Sequence, residues 1–195
     1  HGMGIVVGGS DGKSSSRFSR GDILKERYRV CTTPGSYNTP MGITKVINEE
    51  LRAEHELLIL EMGARYPGNI EELCDIAQPY ISIITNIGIA HLETFGDKQT
   101  IARTKGALVR RLKPGGVAVL NADDSEVMKM ATRSDLDIIS AGLQAGQLRA
   151  NNVEYGPEGT RFRVEFPNGS STDITTKLLG AHNVQNMLLA MSVAY

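Results

Sequence analysis

"GIVVGGSDGKSSS" (residues 4–16) joins a short apolar run to a turn rich in glycine and serine. An apolar run without polar alternation reads as a strand covered on both faces. A Gly-rich turn between such a strand and a helix leaves backbone N–H groups free at the positive end of the helix, which suits a bound anion. Gly9 and Gly12 permit the tight path, Lys13 supplies a mobile charge, and Ser14 offers a hydroxyl for a magnesium ion. The match to the eight-residue Walker pattern is partial, because Val7 stands where the first glycine would be. Asp11 places an anion inside a turn that otherwise looks built to receive one. Taken alone, the stretch is equally a plain Gly/Ser turn before a helix.

The pattern repeats outward from there. "YRVCTT" (28–33), "LLILEMG" (57–63), "ISIITNIG" (81–88), "VAVLNA" (117–122) and "DIISAG" (137–142) read as further strands. Between them, "MGITKVINEELRA" (41–53), "NIEELCDIA" (69–77), "KQTIARTKGALVRRL" (98–112) and "SEVMKMATR" (125–133) read as helices. Unalternating strands separated by helices predict an α/β, doubly wound, mainly parallel sheet of P-loop type. From Leu148 the texture changes. Turn signals "GPEG" (156–159) and "PNGS" (167–170) flank the alternating "RFRVEF" (161–166), which predicts a small antiparallel β meander over about residues 148–178. "HNVQNMLLAMSVAY" (182–195) returns to a helix.

Bulk properties narrow the class. The chain has 195 residues, enough for one domain with a real core. A net charge of −1 offers no broad basic surface, so neither nucleic acid nor anionic lipid is an expected partner. No apolar run approaches the length of a membrane span, so no membrane insertion is expected. Cys31 and Cys74 match no metal spacing and read as reduced, buried thiols of a reducing compartment.

Three further groups stand out. Glu61 closes the apolar strand "LLILE", where a carboxylate is costly unless it is paired or metal-bound. His91 lies just past the following strand, so both fall on the sheet edge that carries the glycine turn. Lys105 sits on the apolar stripe of Ile101, Leu108 and Leu112. Either it snorkels to the rim or it carries its amine into the site; a carbamylated amine would bind magnesium through oxygen. Asn183 and Asn186, in "GAHNVQN" (180–186), share a helix face; their amides suit an adenine edge, or one of them serves as an N-cap.

Together, "LEMGARYPGNIEEL" (60–73), "ITNIGIAHLETFGDKQTIARTKG" (84–106), "VAVLNADD" (117–124) and "GAHNVQN" resemble the central ATP-binding domain of the Mur ligases, in particular the branch that adds D-alanyl-D-alanine. The resemblance covers about residues 4–195. It implies an ATP-dependent amide ligase of peptidoglycan precursor synthesis, cytoplasmic and monomeric. Its small-molecule substrates would be ATP, UDP-MurNAc-tripeptide and D-Ala-D-Ala. The turn residues Gly9, Ser10, Asp11, Gly12, Lys13, Ser14 and Ser15 would hold the nucleotide, with Lys13 at the β- and γ-phosphates. Ser14 and Glu61 would hold one Mg²⁺, and His91 and a carbamylated Lys105 a second. Lys13, Glu61, His91 and Lys105 would be the catalytic set. Asn186, with Asn38 from "SYNTPMG" (36–42) and with Asn183 nearby, would contact adenine. The family's N-terminal UDP-sugar domain and C-terminal domain are not in this sequence, so the piece alone is expected to catalyse little. The alternatives are a degenerate nucleotide-binding module, which Asp11 favours, and a related ligase with a folylpolyglutamate-type or cyanophycin-type acceptor.

The family usually carries Asn or a small apolar residue where Asp11 stands, and Thr at Ser14 and Ser15. A unit charge about 4 Å from a phosphate costs roughly 1 kcal/mol in water and about 4 kcal/mol at an effective dielectric of 20. Asp11→Asn is therefore expected to tighten ATP binding; equal or weaker affinity in calorimetry would rule out repulsion by this carboxylate.

Overall fold

The computed structural model describes residues 3–9, 22–34, 37–64, 66–88 and 92–195. Ser10, Asp11, Gly12, Lys13, Ser14 and Ser15 of the glycine turn, and His91, lie outside the described residues.

Nine strands form one sheet in the order β2-β3-β1-β4-β5-β6-β7-β8-β9. They are β1 (Met3–Gly8), β2 (Val30–Thr32), β3 (Leu57–Glu61), β4 (Ile81–Ile84), β5 (Val117–Asn121), β6 (Asp137–Gly142), β7 (Leu148–Gly156), β8 (Gly159–Glu165) and β9 (Ser171–Thr176). Every pairing from β2 across to β7 is parallel, and β7–β8 and β8–β9 are antiparallel. The described helices are α1 (Asp22–Lys25), α2 (Pro40–Glu49), α3 (Asn69–Ala77), α4 (Leu92–Phe95), α5 (Lys98–Arg110), α6 (Ser125–Met128) and α7 (Ala181–Ala194). The doubly wound sheet and its C-terminal meander are thus as the sequence predicts.

The unalternating strands are apolar throughout because both faces are covered. Val6, Leu58, Leu60, Ile84, Ala118 and Leu120 pack beneath α2, α3, α5 and α6. On the opposite face Ile5, Val7, Ile59, Ile83 and Val119 pack with Val184, Leu188 and Leu189 of α7 and with Phe162 and Val164 of the meander. The meander has one covered face, and β8 alternates accordingly: Phe162 and Val164 are buried while Arg161 and Arg163 point to solvent. Arg163 forks onto Asp173 of β9 at 2.8 and 2.9 Å.

Chain order and strand order diverge at β1. From β1 the chain leaves toward β2 on one side, whereas from β4 it leaves toward β5 on the other. Their carboxyl ends therefore open a crevice, the usual ligand position in such sheets.

One helix ends earlier than its sequence suggests. Residues 125–133 are helical only to Met128. Beyond it the chain turns so that the Arg133 guanidinium donates to the carbonyls of Arg110 (3.1 Å) and Leu112 (2.7 Å). A cation there satisfies carbonyls left over at the end of α5. Both cysteines are free and buried; burial, aided by Glu71 and Asp75, pushes the Cys74 thiol up to about 12. Among the described residues no helix is long and apolar enough to cross a membrane.

Leu188, fully buried on α7, ties that helix to the sheet. Leu188→Ala should lower the unfolding free energy by about 2–5 kcal/mol, read from urea denaturation.

Candidate functional site

Register sets the rim of the crevice. Val7 of β1 lies opposite Glu61 of β3, and Gly8 lies opposite Ile84 of β4. The first residue of the glycine turn, the end of "LLILE" and the start of "TNIG" (85–88) therefore arrive at one edge. Two close approaches at this edge depend on glycines. A Cβ on Gly8 would stand 2.2 Å from Leu108 Cδ1, so its absence lets α5 press against β1. A Cβ on Gly9 would stand 2.0 Å from Thr85 Oγ1 and 3.3 Å from Asn86 Oδ1, so its absence lets the segment after β4 close on the turn.

Lys105 is brought here by α5. Asp97 caps that helix by accepting from Thr100 N at 2.7 Å, and the helix buries Ile101, Lys105 and Leu108 along one face. Lys105 is 9% exposed, and its Nζ donates to the backbone carbonyl of Asn86 at 3.4 Å. Its amine thus enters the crevice rather than extending to the rim.

Glu61 is half-buried at the end of β3, with Oε2 shielded from solvent. Its N–H donates to Thr33 Oγ1 at 3.2 Å, which ties the end of β3 to the chain leaving β2. A shielded carboxylate oxygen at a strand end matches the hard donors preferred by Mg²⁺. Among the described residues no group of three or more His, Cys, Asp or Glu gathers as a metal cage.

The asparagines separate. Asn38 packs against Gly63, two residues beyond Glu61: a Cβ on Gly63 would meet its Nδ2 at 2.9 Å. Asn183 and Asn186 begin α7, which is anchored at the end of β6 by Gln185 Nε2 donating to Ala141 O at 2.8 Å. From β3 to β6 are four strand spacings, about 19 Å, more than a purine spans. Asn38 thus lies beside Gly63 on the Glu61 side of the crevice, and the start of α7 lies at the β6 side. Asn183 does not cap its helix. The N-cap is Gly180 at φ 100°, with no side-chain capping bond, and Asn183 Nδ2 donates back to Leu179 O at 2.7 Å.

Two residues passed over in the sequence act on this rim. Asn121 Nδ2 donates to Thr85 O at 2.6 Å, and Ile87 N donates to Asp124 Oδ2 at 2.8 Å. Their only sequence signal is "NADD" (121–124) immediately after an apolar strand.

Comparison with known proteins agrees with this fold. The family described as "Mur ligase middle domain" matches residues 7–194. The chain belongs to that family. A UDP-N-acetylmuramoyl-tripeptide–D-alanyl-D-alanine ligase of Mycobacterium leprae is 35% identical, over 97% of this chain and 39% of that protein. A crystal structure of MurF from Acinetobacter baumannii superposes with a TM-score of 0.90 at 32% identity, covering 98% of this chain and 42% of that one. MurF from Thermotoga maritima, solved in complex with ADP, superposes at 0.88 with 27% identity, over 98% and 44% of the respective chains. The Mur ligase domain here thus spans about two-fifths of the relatives it matches.

Gly9→Ala should cost about 1–3 kcal/mol of stability through the clash with Thr85 Oγ1. Adding Thr85→Ala should recover part of that loss in the same denaturation measurement.

Proposed function

We propose that this Mur ligase domain is the ATP-binding centre of a ligase that joins D-Ala-D-Ala to UDP-MurNAc-tripeptide. One observation carries the reading. Gly9, Glu61 and Lys105 come from three separate parts of the chain and lie along the carboxyl edge of the adjoining strands β3, β1 and β4. The relatives named above bear that activity in their names.

The chemistry requires a carboxylate to meet a triphosphate although both are anions. The acceptor carboxylate attacks the γ-phosphorus, a new P–O bond forms, the β–γ bridge breaks and ADP departs. The amine of the dipeptide then attacks the acyl phosphate carbonyl; phosphate leaves and the amine loses a proton. No side-chain nucleophile is needed, so catalysis is charge neutralisation and positioning. Lys13 would stand at the β- and γ-phosphates, and backbone N–H groups of the turn would hold the phosphate chain. Asn186, at the start of α7, would meet the adenine. Glu61 and Ser14 would hold one Mg²⁺, and His91 with Lys105 a second. When bound, these ions offset the negative charge of the reacting groups. Lys105 can serve there as a carbamate, because a carbamate nitrogen keeps one N–H for the Asn86 carbonyl while its oxygens become free donors. Binding of the UDP-sugar and closure over the nucleotide would fall to domains outside this sequence.

The test is phosphate release by the full-length ligase carrying this domain. UDP-MurNAc-tripeptide with D-Ala-D-Ala should stimulate release, whereas glutamate with folate-type acceptors should not. Lys105→Ala should lower the rate by about 10²-fold or more, as expected when a group stabilising developing charge is removed. Stimulation by the folate-type acceptors alone would overturn the assignment.

A further inference from the structure

The turn 121–124 contributes no group to the chemistry above, yet it grips the crevice from the β5 side. Asn121, 8% exposed, donates Nδ2 to Thr85 O at 2.6 Å. Its Oδ1 accepts from Asp123 N at 2.9 Å, which holds the turn itself in shape. Asp124 uses both carboxylate oxygens. Oδ1 accepts from Glu126 N (2.9 Å) and Val127 N (3.3 Å), capping α6. Oδ2 reaches 37 residues back along the chain and accepts from Ile87 N at 2.8 Å.

Residues Thr85 to Ile87 are thus pinned at both ends. Between the pins lies Asn86, whose carbonyl receives Lys105 Nζ and whose side chain backs onto Gly9. We propose that Asp124 is a positioning residue of the nucleotide site. Through Ile87 it holds Asn86 where that residue meets both Gly9 and the Lys105 amine. The proposal rests on the ligase reading of the same crevice.

A plain helix cap is the competing role, and the geometry separates the two. Capping needs one oxygen, and α6 is only four residues long. The second oxygen points away from α6 into the β4 segment. A bond to an ionised carboxylate is about twice as strong as a neutral one, so the outer oxygen is the firmer of the two pins on this segment. Serine caps a helix about as well as aspartate but presents a single oxygen on a shorter stem, so Asp124→Ser keeps the cap and releases Ile87.

The experiment compares the full-length ligase carrying this domain, as the parent chain, with its Asp124→Ser and Asp124→Asn variants. It measures three things: Mg·ADP affinity by calorimetry, amide hydrogen exchange at Ile87, and melting temperature. Asp124→Ser is expected to leave the melting temperature within a few degrees, speed exchange at Ile87 and weaken Mg·ADP about tenfold, the scale of one lost charged hydrogen bond. Asp124→Asn keeps one acceptor and presents an N–H₂ to the other donors, so it should weaken affinity too. Unchanged exchange at Ile87, or affinity within about twofold of the parent despite faster exchange, overturns the positioning role alone; the twofold margin is small beside one such bond. A parent chain that binds no Mg·ADP overturns the ligase reading, and this proposal with it.

Discussion

A lysine amine held inside a protein needs partners, and here a peptide carbonyl is one of them. Lys105 Nζ meets Asn86 O at 3.4 Å in a site where the side chain is 9% exposed. An uncompensated ammonium in such a place is prohibitive, so the carbonyl that the segment after β4 brings to Lys105 helps α5 to bury its apolar stripe. The two glycines after Val7 make that possible in turn. Gly8 admits Leu108, one helical turn beyond Lys105, against β1, and Gly9 admits Thr85 and Asn86. Packing of the helix and assembly of the crevice are thus one event.

The sheet supplies the rest through its order. Because β1 lies between β3 and β4, the residues closing all three strands reach the same edge without any long loop. Side chains of β5 and the turn after it then stiffen that edge by binding backbone groups of the β4 segment. The arrangement suits a reaction between two anions, in which the protein must hold charges at fixed distances and has few bonds of its own to make.

Particular residues mark where reading the chain succeeded. Lys105 was legible as part of an apolar stripe because Ile101 and Leu108 flank it at helical spacing, and of the two readings that this left open the structure has the buried one. The meander was legible because one covered face imposes alternation on "RFRVEF". The early end of α6 was not, since its cause is Arg133 reaching carbonyls of α5 more than twenty residues earlier. The place of Asn38 was not legible for a similar reason: nothing local sets it beside Gly63. Asp124 was passed over, because the Ile87 N–H that donates to its second oxygen lies 37 residues away.

Local chemistry therefore sufficed for the strands, the helices, the fold class and the kinds of group at each strand end. Those follow from periodicity and from the cost of burying charge, both of which act over a few neighbouring residues. Which of those groups share the crevice, and which backbone atoms hold them there, came only with folding. Strand order and the close approaches at Gly8 and Gly9 are contacts between distant segments, and no stretch of chain carries the position of its partner.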